Sequence, residues 1–351
     1  MKELKQKMMK KNYSICFVFC LVLYFSFCCQ LPAGQIKLIK QVSLDDLGIL
    51  KPTLIKVHLG NTYIFDEAEM SFFIINNEFK VIKKFGKSGF GPEEYQKPVE
   101  FGFFNDMMWL TDSYGKMIRY DLNGKFCEEK KALANNSFVI EQTDADRYFL
   151  IENRLGDPKN TLRSLSFVTK AEKIKVFEMK EPFQLTLDFE SKLNFLFAIT
   201  KNSCYVVPSD KQYYIRRFDI NKKITAEEIE KKDSQRIKYT EKEITEFNKR
   251  IKKIGASISG YQLLNIKPPV LKPAVKQIYA DEKDRVYVIC PSTQECKYSL
   301  EIYDKTFKYL DSYIIPATGL FFPTSDFIYL VTSDDEKDTY WLQLYTLNSF
   351  Q

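Results

Sequence analysis

Tyr63-Ile64-Phe65-Asp66 followed by Phe72-Phe73-Ile74-Ile75-Asn76 decides the fold, because the arrangement returns along the chain. Trp109-Leu110-Thr111-Asp112 leads in the same way to Met117-Ile118-Arg119-Tyr120-Asp121. Tyr205-Val206-Val207-Pro208 leads to Tyr213–Asp219, and Val286-Tyr287-Val288-Ile289 leads to Ser299–Asp304. Each unit is a short apolar strand, a polar turn often carrying Asp, and an alternating strand. The second strand ends in Asp or Asn and runs into a turn containing Lys or Gly. A repeat of about 40–50 residues built from short strands is the pattern of propeller blades.

Six such units fit the 351 residues, which makes the expected fold all-β: a six-bladed β-propeller. A blade needs an inner strand a, then b and c, then an outer strand d. The repeats place blade one at 53–85, blade two at 99–132, blade three at 138–179 and blade four from Phe195 onward. Blade five spans 275–315 and blade six 319–347. Blade six stops after its third strand, and an open outer edge is an aggregation hazard. The segment Gln35–Val42 alternates in part and has no blade of its own, so it is expected to supply the missing outer strand and close the ring.

One stretch breaks the rhythm, a polar insertion expected over about 226–256, between blades four and five. Thr240-Glu241-Lys242-Glu243 is a capping box, in which the N-cap hydroxyl and the third-residue carboxylate exchange hydrogen bonds with each other's backbone. Ile244, Phe247, Ile251 and Ile254 follow at steps of three and four, the apolar stripe of an amphipathic helix, and Gly255 stops it. Lys267-Pro268-Pro269 and Lys272-Pro273 return the chain to strand.

Residues 1–29 read as a targeting segment. Lys2, Lys5, Lys7, Lys10 and Lys11 precede an apolar run from Ile15 to Cys29. A basic region before a short apolar stretch is the form of a secretory signal. Cys28 and Cys29 close the run, where a lipoprotein signal carries its acceptor. Cys29, with Ser26 three back, fits that pattern better than Cys28, which follows Phe27. Three outcomes stay open: lipidation at the Cys, cleavage near Ala33-Gly34, or an uncleaved anchor. All three put the rest of the chain outside the cytoplasm.

The formal charge is +6, of which the first 12 residues supply +4, leaving 47 basic against 45 acidic side chains. That balance lacks the concentrated basic footprint of a nucleic-acid binder. Beyond the signal there are four cysteines, Cys127, Cys204, Cys290 and Cys296, with no Cys-x-x-Cys among them. Cys290 and Cys296 flank an expected hairpin and could be bridged or free.

The most distinctive local sequence is Gly86-Lys87-Ser88-Gly89-Phe90-Gly91-Pro92-Glu93-Glu94-Tyr95. A phosphate-binding loop needs Gly-Lys-Ser to open a helix, and here it runs into Gly, Gly and Pro. The stretch therefore reads as the connection from the outer strand of one blade to the inner strand of the next. A strand followed by Gly-x-x-Gly-x-Gly-Pro-x-Glu-aromatic resembles the signature of a large family of bacterial exported six-bladed β-propellers related to the NHL-repeat type. The late polar insertion and the Lys-Pro-Pro return resemble that family too, over most of residues 36–347. Glu93 departs from it, standing where members commonly carry a further Gly. What the resemblance implies is architecture and export, not a reaction.

Catalysis has little to build on. His58 is the one histidine, expected as a surface residue at a strand end, and an ordinary zinc site needs more His or Cys ligands than the chain supplies. No cofactor is expected, with a carboxylate-held calcium ion as the alternative and Asp66, Asp112 and Asp281 as its oxygen donors. The bland reading of such Asp residues is that they hold turns by bonding nearby backbone. The adjacent carboxylates Glu93 and Glu94 are expected in solvent, and Phe103, Phe104, Trp109 and Tyr114 as packing between blades. The residues expected at a binding face are Asp66, Asp112, Gly89, Gly91, Glu93 and Tyr95. The function expected is that of an exported, membrane-tethered module binding a protein or glycan, with no nucleic acid. A hydrolase or lyase using carboxylates at the channel mouth is the rival.

Overall fold

Short polar turns between apolar strands leave antiparallel neighbours as the simplest pairing, and the computed structural model contains six antiparallel sheets arranged in chain order. It describes residues 34–130, 137–144, 146–155, 161–181, 195–208, 213–231, 237–245, 248–249, 252, 270–294, 297–316, 319–334 and 339–347. Blade one is Pro52–His58, Asn61–Asp66, Ser71–Ile75 and Val81–Phe85, as strands a to d. Blade two is Pro98–Phe104, Met107–Asp112, Met117–Asp121 and Phe126–Lys130. Blade three is Ser137–Asp144, Arg147–Leu155, Thr161–Val168 and Lys173–Glu181. Blade four is Leu196–Ile199, Ser203–Val207, Tyr214–Asp219 and Ile224–Glu230. Blade five is Gln277–Ala280, Val286–Pro291, Lys297–Tyr303 and Tyr309–Pro316.

Blade six takes Leu320–Pro323, Phe327–Asp334 and Thr339–Thr346 from the end of the chain and Lys37–Ser43 from its beginning. Lys37 lies opposite Thr346, Gln41 opposite Gln343 and Ser43 opposite Trp341. The expected single strand over 35–42 is broken at Ile36. Gly34–Gln35 instead joins the outer edge of blade five, and Ile36 packs into the apolar seam between blades five and six.

One five-residue turn recurs. Asn76, Asp112, Asp121, Asp281 and Asp304 each accept hydrogen bonds from the backbone N–H groups two and four residues on, at 2.8–3.1 Å. The fourth residue of each turn has a positive φ: Phe79 64°, Gly115 77°, Gly124 75°, Asp284 61° and Phe307 62°. The fifth is Lys or Arg every time. This is the Asp-to-Lys signal seen in the sequence, with the side chain standing in for a backbone acceptor.

Each neighbouring pair of blades shares an apolar seam. Tyr63, Phe72, Phe101 and Leu110 lie between blades one and two, and Phe149, Phe167, Cys204 and Phe218 between three and four. Ile215 and Val288 fill the seam of four and five, Leu300 and Leu330 that of five and six, and Ile64 and Leu342 that of six and one. Among the described residues the seam of blades two and three is the smallest, with Trp109, Met117, Val139 and Leu150.

The insertion begins later than expected. Residues 226–230 belong to the outer strand of blade four, opposite Tyr214–Arg217, because sheet pairing overrides the helical propensity of Ala-Glu-Glu. The capping box is formed: Thr240 N–H donates to Glu243 Oε2 at 2.8 Å, and Glu243 N–H to Thr240 Oγ1 at 3.3 Å. Lys272 N–H bonds Ile237 O at 2.8 Å, so the two ends of the insertion meet as a stem. Phe247, Ile251, Ile254 and Gly255 lie outside the described residues. Among the described residues no helix is long and apolar enough to cross a membrane.

Because Lys37–Ser43 joins the two ends of the chain, a Gln41→Cys/Gln343→Cys disulfide is expected to lock the ring. Closing so long a loop should raise stability by up to about 4–5 kcal/mol. The measurement is the urea midpoint with and without dithiothreitol, and an unchanged midpoint would contradict closure at this seam.

Candidate functional site

The connection from blade one to blade two is built around a buried tyrosine. Tyr95 is 0% exposed; its hydroxyl donates to Met70 O at 2.9 Å, in the turn that follows Asp66. A side chain at Gly86 would meet the Tyr95 hydroxyl at 2.4 Å, and one at Gly89 would meet Glu94 Oε2 at 1.9 Å. Both positions therefore need glycine for close approach. Glu94 Oε2 accepts Gly91 N–H at 2.9 Å, and Glu94 Oε1 pairs with Lys87 Nζ at 2.8 Å. Those contacts hold the Glu94 carboxyl below the usual carboxylate range. Lys116 Nζ donates to Gly91 O at 2.6 Å and Glu94 O at 2.7 Å, and Tyr120 OH donates to Glu93 O at 3.1 Å. The loop is thus immobilised from every side, and Glu94 acts as its internal brace, not as the solvated carboxylate expected.

Asp66 and Asp112 hold equivalent places, 46 residues apart, at the ends of strands b. Asp66 Oδ1 accepts Lys51 N–H at 2.6 Å and Ala68 N–H at 3.3 Å. Asp112 Oδ2 accepts Gln96 N–H at 3.1 Å, while its Oδ1 closes the turn to Lys116. Each is buried, 0% and 1% exposed, with its lone pairs directed at backbone. Asp281 binds Arg285 Nε at 2.7 Å and Tyr287 OH at 2.8 Å. Among the described residues no three His, Cys, Asp or Glu side chains gather as metal ligands. The three Asp residues stand on different blades, each occupied by its own turn.

What the loop leaves to solvent is aromatic. Phe90 is 80% exposed and Tyr114 62% exposed, with their rings edge to face at 5.9 Å. Tyr114 was expected between blades. Its place in the Asp112 turn instead carries it out beside Phe90. Phe103 and Trp109 do pack between blades.

Sequence reading missed a second constellation, in the inner strands of blades one to three. Lys56 Nζ lies 3.4 Å from Glu100 Oε1 and 3.7 Å from Glu141 Oε2. The ammonium also lies 5.7 Å from the Phe101 and Trp109 rings. The side chains are 19%, 25% and 30% exposed, so all three are partly buried. Burial pushes the Glu141 carboxyl up, opposed by Lys56 and aided by repulsion from Glu100. Lys56 is raised because the two carboxylates outweigh a large opposing burial effect.

Nearby, Arg119 bridges Glu128 and Gln142. Tyr63, Tyr205 and Tyr287 each send their hydroxyl to a backbone carbonyl of the next blade. Trp109 occupies the matching place in blade two, and its buried indole N–H, like the Thr111 hydroxyl, has no partner among the described residues. The seam of blades two and three is thus small in apolar content and rich in charge. The signal available in the sequence was one charged residue inside each apolar inner strand.

One other expectation changes. His58 stacks on Phe103 at 4.3 Å and 5°, half-buried between blades and not at the surface, and burial lowers its pKa despite the pull of Asp106. Cys290 is a free thiol pushed well up by burial and by Glu301. Cys296, Cys28 and Cys29 lie outside the described residues.

The sequence profile of DUF5128, a 6-bladed β-propeller family, matches residues 35–318. The chain belongs to that family. Among curated proteins none matches it. A candidate exported protein from Bacteroides fragilis NCTC 9343 is similar at 12% identity, covering 90% of this chain and 95% of its own, with a TM-score of 0.53. A member of the DUF4221 family from Bacteroides vulgatus ATCC 8482 is similar at 8% identity, covering 89% and 98%, with a TM-score of 0.52. At those identities the likeness concerns the fold alone.

Asp112→Ala is expected to strip three backbone N–H groups of their acceptor and to cost roughly 2–4 kcal/mol. Asp121→Asn should be nearly neutral, since Asn76 already fills that role in blade one. Urea denaturation of both variants checks this, and a silent Asp112→Ala would return that residue to the ligand candidates.

The native Glu141 pKa is raised, so the folded state holds its proton more tightly than the unfolded state. Stability from this group is present below the ordinary value of 4.5 and is lost as pH rises through the higher native value. Glu141→Gln is therefore expected to gain on the parent protein at pH 8 and to lose that gain at pH 4, below the ordinary carboxylate value, read from thermal midpoints at the two pH values.

Proposed function

We propose that this protein is an exported, membrane-tethered propeller that binds a protein or glycan on the face where each blade connects to the next. The observation that carries this reading is the Phe90–Tyr114 pair. Two exposed rings on a backbone held by Tyr95, Glu94 and Lys116 lose little conformational freedom on contact. Aromatic side chains of that kind supply large contact area for a sugar ring or a partner's apolar side chain. Asp66, Asp112, Gly89, Gly91, Glu93 and Tyr95 then shape the platform without touching the ligand by their own functional groups, except for the exposed Glu93. The insertion between blades four and five connects an outer to an inner strand, as the Gly86–Tyr95 loop does, and so emerges on the same face.

Export is supported by the basic and apolar residues 1–29 and by the likeness to a candidate exported protein. The tether is supported by Cys29 at the end of the apolar run. No reaction is assigned: the carboxylates of the channel, Glu100 and Glu141, share Lys56 as partner, and the Asp residues are spent on turns. A calcium ion is not invoked.

Two measurements test the reading. Intact mass and fractionation of the natively expressed chain, with and without Cys29→Ser, should show a lipid-bearing mature protein released by the substitution. A photo-cross-linking amino acid at Phe90 should give discrete adducts in cells, and one at Leu59, exposed on the opposite face, should not. Equal labelling from both positions, or none from Phe90, would overturn the assignment of the face.

A further inference from the structure

We propose that Phe90, Tyr114 and Glu93 form a corner for one cationic side chain, an arginine or lysine on a segment of the partner protein. This deepens the binding reading above and rests on it, and it decides for protein over glycan.

Ring geometry is the first ground. The planes of Phe90 and Tyr114 meet at 68°, with centroids 5.9 Å apart. Two rings at that angle are the walls of a corner, not one flat floor. A sugar ring lies flat against an aromatic face, and a neighbour standing nearly upright shortens the floor available to it. A compact cation gains from both walls, because each ring face carries negative potential and the two faces look into the same space.

Charge is the second. The lysines of these loops are matched: Lys87 by Glu94 at 2.8 Å, Lys116 by Glu129 at 3.0 Å, and Lys97 and Lys51 by Glu67 at 2.8 and 3.0 Å. Glu93 is exposed and makes no ion pair among the described residues. Lys87 feels its charge but is bound to Glu94. Glu93 stands three residues after Phe90, in a turn closed by Glu94 N–H on Gly91 O at 3.1 Å, and its carbonyl is held by Tyr120 OH at 3.1 Å. Glu94 spends its carboxyl inside the loop, on Gly91 N–H and Lys87. Of the two adjacent carboxylates, Glu93 is therefore the one left for a partner, and it attracts a cation and repels an anion.

Arginine suits the corner best, since its planar guanidinium stacks on one ring and still presents N–H groups to a carboxylate. Solubility alone would account for an exposed Glu93. It does not account for two large rings at 80% and 62% exposure, on backbone that Lys116 ties down at Gly91 and Glu94. Rings held still in that way lose little freedom when a partner's side chain enters between them.

The test places 4-fluorophenylalanine at Phe90 in the full chain and follows its single fluorine resonance at pH 7. The probes are a blocked pentapeptide with one central arginine, the same peptide with citrulline as the uncharged counterpart, phosphocholine, and chitotriose. A lone exposed contact is weak, so saturation is expected in the millimolar range. The arginine peptide should bind at least about threefold more tightly than the citrulline peptide. Glu93→Gln and Tyr114→Ala should each remove that preference, and added salt should weaken the arginine peptide alone. All three side chains lie in solvent, so unchanged thermal midpoints will show that a lost preference is not unfolding. No saturable shift with the arginine peptide, equal affinity for citrulline, or tighter binding of chitotriose or phosphocholine overturns the inference. Discrete adducts from the cross-linker at Phe90 would then still uphold the binding face, and their absence would overturn both.

Discussion

A side-chain oxygen at the end of a strand, held against the backbone N–H groups two and four residues on, is the constraint on which this ring depends. Each such turn fixes where one strand stops and the next begins, so it also fixes which residues face each neighbouring blade. Its cost is a fourth residue in the left-handed region. In blade two glycine meets that demand at Gly115 and Gly124, but blades one and five place Phe79 and Phe307 there. Phe79 is buried in the seam with blade six, and Phe307 lies 4.2 Å from the Tyr303 ring and 5.6 Å from Tyr205 of blade four. A backbone conformation unfavourable to a bulky residue is thereby offset by contact between blades.

The seams follow from the same register. Alternate residues of each inner strand face opposite neighbours: Leu54 packs toward blade two and Ile55 and Val57 toward blade six. Where the alternation brings Lys56, Glu100 and Glu141 together, the apolar seam among the described residues shrinks to a few side chains and the ion pairs take part. Between blades four and five, polar groups are enclosed instead. Tyr213 and Tyr303 share Glu301 Oε2 at 3.1 and 2.6 Å, and Glu301 Oε1 takes Lys231. Each buried oxygen there is satisfied, as a buried network must be if it is to hold two blades in one arrangement.

The Gly86–Tyr95 loop shows why a motif can be legible while its role is not. Its glycines were visible as a departure from ordinary strand and turn chemistry, and their spacing was right for a blade connection. Nothing in the spacing said that Gly86 makes room for the Tyr95 hydroxyl, or that Glu94 turns inward while Glu93 turns out. Those outcomes depend on Met70 and Lys116, in turns between other strands, and on Tyr120 in a strand of blade two. The same holds for Tyr114, whose exposure was set by the Asp112 turn and not by its own apolar character.

The sequence by itself determined the class of fold, the number of blades, the closing role of the N-terminal strand and the capping of the insertion at Thr240. All of these rest on local periodicity and turn chemistry, which neighbouring residues in the chain express without help. Only the tertiary structure decided which side chains meet. Lys56 reaches Glu100 and Glu141 across three blades, Asp66 and Asp112 are consumed by backbone, and Phe90 and Tyr114 are left outward together. Contacts between residues tens of positions apart depend on the twist and rotation of whole blades about a common axis. No pattern confined to one strand carries that information.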